Sequence, residues 1–174
     1  MTGEWNIDVV VGSLPEKLAT AFGEINLVGA EYEPIAYLGT QVVNGINHGV
    51  LAEQTLTNLE GQKNVVLMIF NEKDEQFTLV NIERVLESGE GEGGVVVDVQ
   101  TDIPEEAEDA FEQALGGFVG EAVEPFAYLG DQVVRGIDYF FAAETTSSTA
   151  EPVKGVALLV VNSTENTVSF AEIL

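Results

Sequence analysis

The chain repeats itself, and the repeat limits the fold more than any other feature. Glu33 to Ile46 reads EPIAYLGTQVVNGI and Glu124 to Ile137 reads EPFAYLGDQVVRGI, eleven identities in fourteen positions at a constant offset of 91. Weaker matches continue upstream: Leu27-Val28-Gly29 against Phe118-Val119-Gly120, then Leu14-Pro15-Glu16 against Ile103-Pro104-Glu105, where the offset falls to 89. A duplication of this length means one structural unit made twice, each copy with its own core. With 174 residues, 45% apolar content and nine Phe, two small cores fit the chain better than one large one. Between the copies, Ser88 to Gly94 reads SGEGEGG, the composition of a flexible charged connector. The expected division is therefore 1–88 and 93–174, with 89–92 as an acidic, glycine-rich linker.

The order of elements is the same in both copies. Ile7–Val11 is a short β-rich run, and Pro15 then opens a segment with Leu14, Leu18, Ala21, Phe22 and Ile25 at helical spacing. In the second copy Val95–Val99 is the strand. Asp102, Pro104 and the acids after them start a helix whose apolar face is Ala107, Ala110, Phe111, Ala114 and Leu115, and Gly116-Gly117 ends it. Further β-rich runs follow: Tyr32–Val43, Ile46–Thr57, Asn64–Asn71 and Phe77–Leu86, with counterparts Val123–Val134, Ile137–Thr146, Val156–Asn162 and Thr167–Leu174. Short connections between sequential runs favour an antiparallel meander with one amphipathic helix covering its apolar face. Gly39 and Gly130, repeated inside a strand run, mark a bulge or a close backbone approach to the helix. Tyr37 and Tyr128 read as sheet packing, and His48, whose counterpart is Tyr139, as a cross-strand residue.

Asn44-Gly45 signals a tight hairpin, because a type I′ turn needs positive φ at both central residues. Arg135 in the second copy suits positive φ poorly, which predicts a wider or bulged loop there. The turns carry Gln41-Val42-Val43 and Gln132-Val133-Val134 to a hairpin end. Adjacent valines on a strand point to opposite sides, so one of each pair faces solvent unless another surface covers it.

A strand, a helix and four strands, with Gln41-Val42-Val43-Asn44-Gly45 in the first hairpin, resembles a cystatin, and the surrounding EPxAYLGxQVVxG phrase is similar to small bacterial cystatin-like proteins. The resemblance implies an α+β fold of two tandem cystatin-like units, each with one helix packed on a four- to five-stranded antiparallel sheet. It also implies a wedge against papain-like cysteine proteases, built from an N-terminal glycine, the Gln-x-Val-x-Gly hairpin and a second hairpin at the same end of the sheet. On that pattern the binding residues of the first unit are Gly3, Gln41, Val42, Val43, Asn44 and Gly45. Those of the second are Gly94, Gln132, Val133, Val134, Arg135 and Gly136. The second hairpin is expected at Glu60-Gly61-Gln62-Lys63 and at Glu151-Pro152-Val153-Lys154, neither of which holds the family's Pro-Trp pair. A non-inhibitory structural or adaptor protein with the same fold is the alternative, and self-assembly stays open.

Charge and residue types narrow the other classes. Thirty acidic against six basic residues give a formal net charge of -24, which repels nucleic acid and anionic membrane surfaces. The absence of Cys leaves no thiolate metal site, and a single His counts against a His-based zinc centre or a Ser-His-Asp triad within one chain. No catalytic residue, metal or cofactor is therefore expected. The chain has no basic-then-apolar N-terminal segment and no apolar run of about eighteen residues, which favours a cytoplasmic location or a place in an assembled particle.

Overall fold

The structure, a computed structural model, describes residues 3–58, 61–116 and 121–174. Glu60, Gly117 and the Phe118–Gly120 segment lie outside the described residues. The chain divides into two compact units, Met1–Glu87 and Ser88–Leu174.

The first unit runs β1 (Trp5–Val11), α1 (Glu16–Gly23), β2 (Ala30–Val42), β3 (Ile46–Leu56), β4 (Gln62–Lys73) and β5 (Gln76–Glu87). Its strands form one sheet in sequence order, every neighbouring pair antiparallel. The second unit repeats the plan with β6 (Val95–Gln100), α2 (Glu105–Leu115), β7 (Glu121–Val134), β8 (Gly136–Ser147), β9 (Lys154–Asn162) and β10 (Val168–Glu172). The class is α+β, with two antiparallel five-stranded sheets and a helix in each unit.

Each helix starts behind a proline whose carbonyl accepts the first helical hydrogen bond, Ala19 N to Pro15 O at 2.8 Å and Glu108 N to Pro104 O at 3.0 Å. Glu105, Glu106 and Glu108 sit in the first turn of α2, where negative charge suits the helix dipole. Leu18 and Phe22 of α1 pack on Tyr37, Val50, Ala52, Val66, Met68 and Phe70, so the helix covers one face of the central strands. Ala107 and Ala110 of α2 meet Tyr128, Phe141, Ala143, Leu159 and Val161 in the same way. Both repeated tyrosines therefore belong to the cores. Burial of a side chain the size of Leu18 or Phe22 is worth about 1.5 to 3 kcal/mol, and that is what holds so short a helix in place.

The repeated glycines do mark bulges, since the β2–β3 register shifts between Tyr37 and Gly39 and the β7–β8 register between Tyr128 and Gly130. Their close approach, however, is to the edge strand rather than to the helix. A Cβ on Gly39 would collide with the Asn6 carbonyl oxygen and stand 3.0 Å from Ile7 Cα. On Gly130 it would collide with the Val96 carbonyl oxygen and stand 3.1 Å from Val97 Cα. The φ angles of 144° and 148° are also ones that L side chains avoid.

Residues 89–92 form part of a hydrogen-bonded turn rather than an open tether. Gly89 N donates to Val95 O at 3.0 Å and Gly94 N to Gly91 O at 3.3 Å, with Gly91 and Gly93 at positive φ.

Candidate functional site

Alternation of strand direction decides which turns share an end of the sheet. Val42 pairs with Ile46, Ile46 with Glu72, and Lys73 with Gln76, so the β2–β3 and β4–β5 turns lie together. Trp5 pairs with Gln41, which brings Gly3 to the same end. The turn that holds Gly61 lies beyond the Leu56–Gln62 pair at the far end, and the 151–153 loop likewise joins β8 to β9 at the far end of the second sheet. The second hairpin of the hairpin end is thus Lys73-Asp74-Glu75-Gln76, with both Asp74 and Glu75 at positive φ, and its counterpart is the 163–167 segment. Each hairpin reverses the chain, so successive turns must fall at alternate ends; the 60–63 and 151–154 assignment missed that count.

At the first hairpin end the side chains form a polar ladder across three strands. Gln41 Nε2 donates to the Gly3 carbonyl at 2.9 Å, Asn47 Nδ2 to Gln41 Oε1 at 3.1 Å, and Asn71 Nδ2 to Asn47 Oδ1 at 2.9 Å. Gly3 N returns a bond to Val42 O at 3.3 Å, and a Cβ on Gly3 would stand 2.7 Å from that oxygen. The glutamine therefore ties the N-terminal glycine to the hairpin, and the glycine is small because the hairpin backbone is so close.

The tip closes with Val43 N on Gly45 O at 3.1 Å, Asn44 at φ 36° and Gly45 at φ 104°, both positive as the Asn-Gly pair requires. A Cβ on Gly45 would stand 2.5 Å from Glu72 O, so the tip rests on the second hairpin. Val42 is left 71% exposed and Val43 is half-buried.

The second unit repeats the tie with one change of register. Val95 pairs with Gln132 as Trp5 pairs with Gln41, which makes Gly93 the equivalent of Gly3. Gln132 Nε2 donates to Gly93 O at 2.9 Å, whereas Gly94, the glycine picked out from the sequence, packs against Gly89. Asn162 replaces Asn71. Its Nδ2 donates to Asp138 Oδ1 at 2.9 Å and Arg135 O at 3.2 Å, and its Oδ1 accepts from Thr164 N and Glu165 N. Arg135 stays out of positive φ and the loop is no wider, because pairing continues to Val134 opposite Gly136. A Cβ on Gly136 would collide with the Thr164 side chain, and Val133 is 64% exposed.

His48 has more partners than its sequence position suggested. Its Nδ1 lies 2.8 Å from the Tyr37 hydroxyl and its Nε2 2.9 Å from Glu72 Oε1, with the Phe77 ring 5.5 Å away. Carboxylate, imidazole and hydroxyl stand in the order of a nucleophilic triad. The phenol is buried, however, and burial, followed by the charges of Asp8 and Glu72, pushes its pKa up to about 12. An activated nucleophile needs the opposite shift, so the relay acts as a tie between β2, β3 and β4. In the second unit Tyr128 donates to Asp131 Oδ2 at 2.9 Å instead, and burial followed by that bond raises its pKa. Sequence spacing alone could not reveal either arrangement, because both depend on the register of bulged strands.

Among the described residues no group of three or more His, Asp or Glu side chains is placed to hold a metal ion. Among them, too, no helix is long and apolar enough to cross a membrane. Comparison of the chain with protein-family models, with curated proteins and with solved structures finds no match.

Proposed function

We propose that the chain is a protein-binding module of two cystatin-like units, whose hairpin ends enter the cleft of a papain-like cysteine protease as a reversible wedge. One observation carries the reading: Val42 and Val133 are exposed apolar side chains on tips that are otherwise fixed by hydrogen bonds. A fixed apolar tip loses little conformational entropy on docking, which favours insertion into a preformed groove. The chain is on this reading a binding protein and not an enzyme. The second hairpin offers Asp74 and Glu75 where the family offers Pro-Trp, so its contribution to binding is polar.

A steady-state assay with papain-like proteases tests the proposal, using Val42→Asp, Val133→Asp and the double variant. Exposed sites of this kind change stability by about 0.5 kcal/mol or less, while loss of a central apolar contact weakens binding by about tenfold or more. Val42→Asp is expected to weaken inhibition more than Val133→Asp, because Gly93 is held within the hydrogen-bonded turn that Gly89 and Val95 close. Absence of inhibition at high micromolar concentration rejects the proposal. Gly45→Glu is a poorer probe, since the Glu72 carbonyl leaves no room for any side chain.

A second reading, a structural or adaptor protein, is favoured by β5, a twelve-residue edge strand with Val80 54% exposed. Such an edge can accept another strand. Mass measurement in solution showing only monomer across the micromolar range counts against it.

A further inference from the structure

Asn44-Gly45 is the one Asn-Gly pair in the chain, and it lies at an exposed tip. We propose that Asn44 is a site of self-modification, losing its carboxamide nitrogen by attack of the Gly45 backbone nitrogen, with Lys73 assisting.

Three features favour the reaction at this position. Glycine has no side chain to shield its nitrogen from the preceding carboxamide. Among the described residues the Gly45 N–H has no hydrogen-bond acceptor, so no ladder bond must break before it reacts. Lys73 Nζ donates to Asn44 Oδ1 at 3.1 Å, putting an ammonium on the oxygen that becomes negative as the nitrogen adds.

The chemistry balances with water as the only co-reactant. Solvent base removes the Gly45 amide proton, the nitrogen bonds to Asn44 Cγ, and the oxyanion forms at Oδ1 against the Lys73 ammonium. Collapse breaks the Cγ–Nδ2 bond, and the nitrogen takes a proton and leaves as ammonia. A five-membered imide remains. Water then opens it at Cγ to give an aspartyl residue at position 44, or at the backbone carbonyl carbon to give an isoaspartyl one. Either product adds a carboxylate beside Lys73. The isoaspartyl product also lengthens the backbone within the turn closed by Val43 N and Gly45 O.

The second unit is an internal control. Arg135 stands in place of Asn44 and Thr164 in place of Lys73, so neither the carboxamide nor the ammonium is present. The one asparagine followed by serine, Asn162, is buried and held at both ends of its amide. The reaction therefore ages one tip and spares the other, whatever the tips bind.

The test incubates the full chain in mildly alkaline buffer and follows each asparagine by peptide mass spectrometry, with methyl acceptance by an isoaspartyl methyltransferase as a second readout. Position 44 is expected to convert first, with position 162 unchanged over the same interval. Lys73→Met is expected to slow conversion in the folded chain by about fivefold, the worth of one exposed charge-assisted hydrogen bond, and to have no effect in urea. Circular dichroism establishes that the variant is folded. Asn44 remaining intact in the folded chain while the same site converts in urea overturns the proposal, as does an unchanged rate in folded Lys73→Met.

Discussion

Gly39→Ala isolates the close contact between β2 and the edge strand, and its cost follows from the geometry. At φ 144° an alanine carries about 1 to 3 kcal/mol of backbone strain. Its Cβ also needs the space of the Asn6 carbonyl oxygen, so β1 must shift away along the Ile7–Gly39 pair. Disturbing about two ladder bonds and part of the Ile7 burial adds about 2 to 3 kcal/mol. Alanine also stiffens the unfolded chain, which offsets about 0.4 to 1 kcal/mol of that cost, so about 2 to 5 kcal/mol remains. Gly12→Ala is the matched control, because Gly12 has φ 83° but nothing within 4 Å of where a Cβ would stand, and should cost about 1 kcal/mol. In urea, with a slope of about 1 kcal/mol per molar, the midpoints should fall by roughly 2 to 5 M for Gly39→Ala and 1 M for Gly12→Ala. Trp5, the only Trp, lies on β1 and makes intrinsic fluorescence a local reporter of the first unit. A Gly39→Ala shift no larger than that of Gly12→Ala refutes the steric argument.

Two further outcomes follow from buried polar groups. The Tyr37 phenol has its pKa raised to about 12 by burial and by Asp8 and Glu72, so the folded state holds its proton more tightly than the unfolded chain does. The stability it contributes, about 2 to 3 kcal/mol, is complete below pH of about 10 and is lost as pH rises towards about 12. Urea melts across that window should show the loss, Tyr37→Phe should flatten it for the first unit, and an equal loss in both proteins contradicts the assignment. Asn64 Nδ2 donates to Gln54 Oε1 at 3.0 Å, and Gln54 Nε2 donates to the Tyr32 hydroxyl at 2.8 Å, a polar chain across β4, β3 and β2. Asn64→Ala should cost about 2 kcal/mol, and a double-mutant cycle with Gln54→Ala should give a coupling of about 1 kcal/mol; additive effects exclude the network.

Much of the fold was legible because the chain carries two versions of each element. The repeat located the strands, and helical spacing after Pro15 and Pro104 located both helices. What escaped was register. Residues 3 to 5 hold no repeated phrase, and only the pairing of Val95 with Gln132 reveals that the glycine under the second tip is Gly93. The Gln41 and Gln132 ties escaped for a related reason, since a bond across 38 or 39 residues leaves no local spacing to read. The paired bulges were visible as Gly39 and Gly130, but a glycine signals only that something is close; that it is β1 and β6 is a property of the assembled sheet.

The bond from Gln41 to Gly3 also decides where a handle can be attached. An affinity tag or dye joined before Gly3 sits within a residue or two of the Val42 tip and will report on, or obstruct, whatever that tip touches. Leu174 instead accepts a bond from Val156 N at 2.9 Å, at the far end of its own sheet from Gly136. A handle joined after Leu174 therefore leaves the hairpin end of the second sheet clear, and loss of binding on attachment before Gly3 alone marks the first tip as the one in use.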